Sequence, residues 1–322
     1  MDKETVLRNS ILEIKSGSHL YGLNTQNSDL DYAGIFMPTK EYVFGFKKCE
    51  EVDLSIKDKL ETGENSKDAI DRKFYEFRKY IKLAMENNPN ILEMIFVNPE
   101  NIVNINYIGK YLLENSSLFP HVGLTERFIG YAISQKKKMI IKRDNYFKLE
   151  EAERKLNEII EEGGGKLLLP QCEDKFNFLK VFNIKNKTDN HYKVGGRLIP
   201  KNMTVKRAKQ EIEKIIGEST NRKELIKDKG YDYKFGSHLI RILIEGKELL
   251  ETGKIVFPLT CKEEILEIKT GKWDINRVLE YSRFLEEEIK KLKKSNALPK
   301  KPRYNEIEKL TMEVLEEWIL KS

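Results

Sequence analysis

Two aspartates separated by one residue, Asp29 and Asp31, follow a glycine–serine pair at Gly17 and Ser18. On a β-strand, residues two apart share a face and lie about 6.5–7 Å apart. Two carboxylates held that close repel each other unless a cation lies between them. Mg²⁺ takes carboxylates together with the oxygens of a phosphate substrate. The pair therefore predicts a site for Mg²⁺, or Mn²⁺, and for a phosphate-bearing ligand.

The glycine–serine pair supplies what the carboxylates lack. It follows a strand-like run over residues 11–15, and it offers free backbone N–H groups, no side chain at Gly17 and the hydroxyl of Ser18. We expect this turn to cradle the phosphate groups of the ligand. His19, the next residue, is expected either to point at the phosphates or to pack the turn, and the sequence leaves both alternatives open.

A second set of charged side chains lies far along the chain. Lys234, His238 and Arg241 follow helical spacing (i, i+4, i+7) within a predicted helix at 233–251. Like charges on one helix face repel, and a bound triphosphate would relieve that repulsion. We expect such a triphosphate to lie in a cleft between residues 1–105 and the helical remainder, with Gly17 and Ser18 on one wall and this stripe on the other.

The elements that must position these residues change character along the chain. The first hundred residues alternate short strands and helices, which predicts a small mixed sheet flanked by helices. Beyond about residue 105 the pattern is mostly helical, with an irregular insert at about 163–203. Helices are expected at 107–115, 125–142, 148–162, 204–216, 233–251, 262–269, 275–294 and 304–320. The predicted fold class is α+β, with a catalytic domain at 1–105 and a mostly helical domain at 106–322 that closes the nucleotide cleft.

Composition narrows the class of protein. The chain has 322 residues, 34% of them charged, and a formal net charge of +6, which suits a phosphate-bearing partner. Three widely spaced cysteines favour neither a disulfide framework nor a cysteine zinc site. Neither a membrane-spanning run nor a secretory signal is recognisable in the sequence, so we expect a cytoplasmic location without a membrane partner.

The ordered motifs resemble a known group of enzymes. The segments 17–22, 28–31 and 34–36 are similar to the signature of the DNA polymerase β-like nucleotidyltransferase superfamily, and within it to predicted nucleotidyltransferases of bacteria and their phages. Further segments agree in order, and the resemblance spans roughly residues 10–285. These segments are Asn88–Glu93, 130–132 with Gln135, 231–234 with His238 and Arg241, and 248–253.

The resemblance implies a third carboxylate from a later strand. Asp71, in a strand-like run just before a predicted helix at 77–85, is the candidate, and Asp68 and Glu76 are the competitors. It further implies a two-metal reaction in which Asp29 and Asp31 hold both ions and Asp71 holds the ion beside the acceptor.

The resemblance implies transfer of a nucleoside monophosphate from a nucleoside triphosphate such as ATP to an acceptor hydroxyl, with release of pyrophosphate. The basic charge balance favours RNA, for example tRNA, over protein as the acceptor. Two alternatives stay open: nucleotidylation of a protein side chain, and a non-catalytic module that binds nucleotide or RNA.

Overall fold

The computed structural model of the chain describes residues 1–24, 28–56, 69–173, 190–218 and 230–321. The chain packs as two compact units that interleave in sequence. The first unit comprises residues 1–132, 239–266 and 280–322, and the second comprises residues 133–238 and 267–279. The expected domain boundary near residue 105 coincides with no limit of these units.

The first unit begins with the alternating elements that its sequence predicts. These are α1 (Lys3–Arg8), β1 (Ser10–Lys15), α2 (Gly17–Tyr21), β2 (Leu30–Phe36), α3 (Lys40–Val43), β3 (Glu51–Asp53), β4 (Ile70–Glu76), α4 (Phe77–Met85), α5 (Pro89–Ile95), β5 (Ile102–Ile105) and α6 (Tyr107–Glu114). Polar residues cap several of the helices. The Asn106 side chain accepts from the backbone N–H of Gly109 at the start of α6, and the Glu76 side chain accepts from Lys79 at the start of α4.

The sheet of the first unit has the strand order β3-β4-β2-β1-β5. β2 pairs with β4 in parallel and with β1 antiparallel, so β2 has a hydrogen-bonded neighbour on both sides. On one face, Arg72 of β4 forms a bidentate ion pair with the buried Glu13 of β1, with N···O distances of 2.7 and 2.8 Å. This pair spans β2 and ties the three strands together.

The remaining elements are mostly helical. They are α7 (Leu124–Glu161), β6 (His191–Val194), β7 (Arg197–Pro200), α8 (Val205–Glu218), α9 (Tyr233–Thr252), α10 (Lys262–Lys269), α11 (Ile275–Ser295) and α12 (Tyr304–Lys321). In the first unit, α12 packs on α4, and Trp318 donates its indole N–H to the Pro38 carbonyl at 2.9 Å. This bond ties residue 318 to the end of the β2 strand region.

The second unit has a core of its own. Apolar residues of α7, of the antiparallel β6–β7 hairpin and of α8 pack together, among them Leu156, Tyr192, Ile199 and Ile212. The predicted insert at 163–203 falls partly here: it contributes two 3₁₀ turns (Gly164–Lys166 and Leu169–Cys172) and the hairpin. Residues 174–189 of the insert lie outside the described residues.

The structure confirms the predicted α+β class, a mixed sheet with helices followed by a mostly helical region, with 61% of the described residues helical. One expected feature is wrong. The helices predicted at 125–142 and 148–162 form the single helix α7, because no proline or glycine interrupts 143–147. None of the helices in the described part of the chain is both long enough and apolar enough to cross a membrane.

Candidate active site

The glycine–serine turn lies directly against the carboxylate of Asp31. The backbone N–H of Ser16 donates to the Asp31 carbonyl at 2.8 Å, which fixes the start of α2 beside β2. Gly17 has φ +60°, a left-handed conformation that favours glycine, and a Cβ there would collide with the Asp31 carboxylate. The Asp31 carboxylate therefore occupies the space that a side chain at residue 17 would need, so only glycine fits at this position.

Two of the predicted carboxylates are neighbours across the sheet. Asp31 of β2 pairs in register with Asp71 of the parallel strand β4, so their side chains leave the same face of strands about 4.8 Å apart. Asp29 lies two residues before Asp31, immediately ahead of β2, and is exposed. The register places Asp71 next to Asp31, and its role as the third acid stays a prediction.

The competitors of Asp71 are placed differently. Glu76 lies five residues further along β4, is buried, pairs with Arg78 at 2.9 Å and caps α4. Asp68 lies outside the described residues. Asp71 itself is exposed and accepts a hydrogen bond from the Ser55 hydroxyl at 2.9 Å. Of the two candidate acids that lie among the described residues, Asp71 and Glu76, only Asp71 is the register partner of Asp31.

The donor chemistry at this edge suits a divalent cation. Three carboxylates supply hard oxygen ligands of the kind that Mg²⁺ and Mn²⁺ prefer. In the part of the chain that the structure describes, no three His, Cys, Asp or Glu side chains are grouped closely enough to hold a metal ion. The negative charges of the carboxylates repel one another. Asp71 accepts a hydrogen bond from the neighbouring Ser55 hydroxyl. The three residues are of the type that binds the ion, and a metal site formed by them stays a prediction.

His19 lies within α2, and its Nε2 atom is buried without a hydrogen-bond partner among the described residues. A buried polar atom left unpaired costs free energy, so such atoms are uncommon in folded proteins. This orphaned nitrogen is consistent with either expected role of His19, and both stay predictions.

Lys234 and His238 lie on the part of α9 that belongs to the second unit. Lys234 is exposed and His238 is half-buried. Within the same unit, Asp232 accepts from the Lys234 backbone N–H at 3.0 Å and pairs with Lys142 at 3.3 Å. Their predicted contact with phosphate stays a prediction.

Arg241 has partners that the sequence did not indicate. It lies in the first unit, is only 3% exposed, and its guanidinium pairs with both Glu93 of α5 and Glu245 of α9. Both carboxyl groups bond to one guanidinium nitrogen, Nη1, and the expected contact of Arg241 with a phosphate stays a prediction. Helical spacing relates the positions of residues along α9 but gives no information on what each of them meets.

The Arg241 network includes Tyr21, the last residue of α2. The Tyr21 hydroxyl donates to Glu93 Oε2 at 2.6 Å, and the guanidinium carbon lies 4.3 Å from the centre of the tyrosine ring. Burial raises the pKa of Glu245 well above its ordinary value, and the charge of Arg241 opposes this only in part. Tyr21 and Glu245 were not singled out from the sequence, and no spacing pattern marks them.

The parallel register of β2 and β4 places Asp71 next to Asp31, and Asp31 lies against the glycine turn. A family model described as the RNA repair pathway DNA polymerase beta family matches residues 3–155. This region therefore fits a DNA polymerase β-like nucleotidyltransferase, and the family suggests nucleotidyltransferase activity.

Two proteins are similar to this chain. An uncharacterized 38.9 kDa protein of the nrdC-mobD intergenic region of Enterobacteria phage T4 is 28% identical over 285 residues, which cover 82% of this chain and 84% of that protein. The uncharacterized protein YcgL of Bacillus subtilis (strain 168) is 29% identical over 85 residues, covering 26% of this chain and 29% of that protein. No solved structure gives a significant match.

Gly17→Ala is expected to lower the thermal melting temperature and to weaken ATP binding. The left-handed backbone costs a non-glycine residue about 1–2 kcal/mol, and the added Cβ collides with the Asp31 carboxylate. Melting curves and titration calorimetry with ATP and Mg²⁺ measure the two effects.

Gly130→Ala is the matched control for this variant. Gly130 is an exposed residue of α7 with no atom within 4 Å of an added Cβ, so alanine there should be neutral or stabilise by about 0.5–1 kcal/mol. Equal behaviour of the two variants would remove the turn from the site.

Proposed function

We propose that this protein is a metal-dependent nucleotidyltransferase that moves a nucleoside monophosphate from a nucleoside triphosphate to a hydroxyl group of RNA, releasing pyrophosphate. The observation that carries the proposal is the register of Asp31 with Asp71 beside the Gly17 turn. The family description supports RNA as the class of acceptor, as does the net charge of +6.

The transfer is an in-line displacement. The acceptor oxygen forms a bond to the α-phosphorus, the bond from that phosphorus to the oxygen bridging to the β-phosphate breaks, and the hydroxyl proton leaves to water. Asp29, Asp31 and Asp71 would hold Mg²⁺ or Mn²⁺. When bound, such an ion lowers the pKa of the attacking hydroxyl and offsets the charge of the departing pyrophosphate.

The chain's own groups bind and orient the substrate. The backbone N–H groups around Gly17 and Ser18 would receive the β- and γ-phosphates, because amides at a helix start carry partial positive charge. Lys234 and His238 stay candidates for phosphate binding on account of their charge. Arg241 is not part of this proposal, because its guanidinium is bound by carboxyl groups.

The test is incubation of the protein with each α-labelled nucleoside triphosphate and Mg²⁺ or Mn²⁺, with and without bulk RNA. We expect label to enter RNA only when both metal and RNA are present, with pyrophosphate released in equal amount. Label in protein would favour nucleotidylation of a side chain instead. Nucleotide binding without any transfer would identify a binding module and overturn the proposal.

A further inference from the structure

The helix that carries the glycine–serine turn has little structure of its own to hold it. α2 has five residues, and a helix this short is not stable in isolation. Within it, Gly22 donates to the His19 carbonyl at 3.2 Å and Leu23 to the Ser18 carbonyl at 2.8 Å. The position of the turn therefore depends on contacts to other elements.

The strongest of these contacts are made by Tyr21, four residues and about 6 Å of helix rise from Gly17. Its hydroxyl donates to the carboxylate of Glu93, and its ring lies beneath the guanidinium of Arg241. Glu93 and Arg241 are each 3% exposed. A hydrogen bond to a charged acceptor in such surroundings is stronger and more directional than one between neutral groups.

A second segment closes the far end of α2. Leu259 donates its backbone N–H to the Tyr21 carbonyl at 3.3 Å. The left-handed Gly22 leaves room for Pro258, since a Cβ on this glycine would lie 2.7 Å from the proline Cβ. Tyr21 is thus fixed by its main chain as well as by its side chain.

Burying such charges is not the simplest way to stabilise a core. Apolar side chains of similar volume often stabilise a protein as much as a buried ion pair, or more. The charged partners Glu93 and Arg241 instead restrict the Tyr21 side chain to one hydrogen-bonded orientation. A small displacement of the turn matters, because the Asp31 carboxylate already fills the space that a Cβ at residue 17 would take.

We infer that Tyr21 is a positioning residue, which Glu93 and Arg241 hold in place so that the Gly17-Ser18 backbone stays fixed beside Asp31. The inference concerns the phosphate-binding turn and so rests on the proposed function. Tyr21 touches no reacting atom in this account. It acts by fixing the position of α2, the helix of which it is the last residue.

Tyr21→Phe tests this directly, because it removes the hydroxyl and keeps the ring beneath Arg241. In the ligand-free protein, we expect amide hydrogen exchange in peptides covering residues 16–24 to become about tenfold faster. The dissociation constant for ATP with Mg²⁺ should rise about tenfold, the equivalent of one charge-assisted hydrogen bond. AMP, which lacks the β- and γ-phosphates, should bind as before.

Tyr80→Phe is the matched control. Tyr80 is fully buried in the same unit, and its hydroxyl donates to the Ile91 carbonyl of α5 at 3.1 Å. It therefore loses a buried hydrogen bond to the helix that also carries Glu93, without touching α2. We expect a comparable fall in melting temperature but no change in exchange at 16–24 or in ATP affinity.

The outcomes separate this inference from the proposed function. If Tyr21→Phe leaves both exchange at 16–24 and the ATP dissociation constant within about twofold of wild type, Tyr21 has only a structural role and the inference fails. If the wild-type protein binds no nucleoside triphosphate, the proposed function fails. The exchange comparison between Tyr21→Phe and Tyr80→Phe then still decides whether Tyr21 fixes the turn.

Discussion

Asp31→Asn is expected to lower the rate of nucleotidyl transfer to RNA by at least about 10²–10³-fold, a loss typical of removing even one charge-stabilising group. The reason is its place on the central strand β2, in register with Asp71 and against Gly17. Its loss removes an oxygen ligand and part of the charge that attracts the cation. Asp71→Asn should act in the same direction.

The fold should survive this change. Removing one of several neighbouring carboxylates relieves repulsion, so the melting temperature without added metal should be unchanged or slightly raised. Glu51→Gln is the control, because it makes the same chemical change on the same sheet. Glu51 pairs in register with Tyr75, toward the other end of β4 from Asp71, and forms an exposed ion pair with Lys73. Transfer by Asp31→Asn at the wild-type rate would place the chemistry elsewhere in the chain.

Arg241→Met is expected to destabilise the protein by about 3–5 kcal/mol at pH 8, the usual cost of breaking a buried ion pair by removing one partner. The change leaves Glu93 and Glu245 buried, at 3% and 0% exposure, without their cation. Urea unfolding followed by circular dichroism measures the loss.

The loss should depend on pH with a definite sign. Burial raises the pKa of Glu245 well above its unfolded value, so its contribution to stability is fully present below the unfolded pKa of about 4.3. That contribution is lost as the pH rises through the folded pKa. Removing Arg241 takes away the charge that opposes this rise, so we expect the destabilisation to be smaller at pH 5 than at pH 8.

The same helix offers a matched control in Lys247→Met. Lys247 and Glu251 are also four residues apart on α9 and form an ion pair at 2.6 Å, but both are partly exposed to solvent. Such surface pairs contribute about 0.3–0.5 kcal/mol. If Arg241→Met cost no more than Lys247→Met, the buried network would not be holding the first unit together.

The sequence allowed prediction of what depends on local pattern. The alternation of apolar residues predicted the strands. Strand periodicity predicted that Asp29 and Asp31, which are two residues apart, share a face. Asp71 could be named only as a candidate for the third acid, and its register with Asp31 could be seen only once β2 and β4 were paired. The roles of Glu93, Tyr21 and Arg241 could not be predicted, because 148 residues separate Glu93 from Arg241. Periodicity identifies a helix face but not the element that it meets.

The interleaving of the units has a consequence for how the chain folds as it is synthesised. The family-matched region ends at residue 155, yet the first unit takes residues from 239–266 and 280–322. During synthesis, Glu93 is made long before its ion-pair partner Arg241, and Pro38 is made long before its hydrogen-bond partner Trp318. A nascent chain that has emerged only as far as residue 155 therefore contains Asp29, Asp31 and Asp71 but not Arg241 and Trp318, which make these contacts. A fragment ending near residue 155 lacks the residues that complete the first unit, so it is a poor substitute for the full chain.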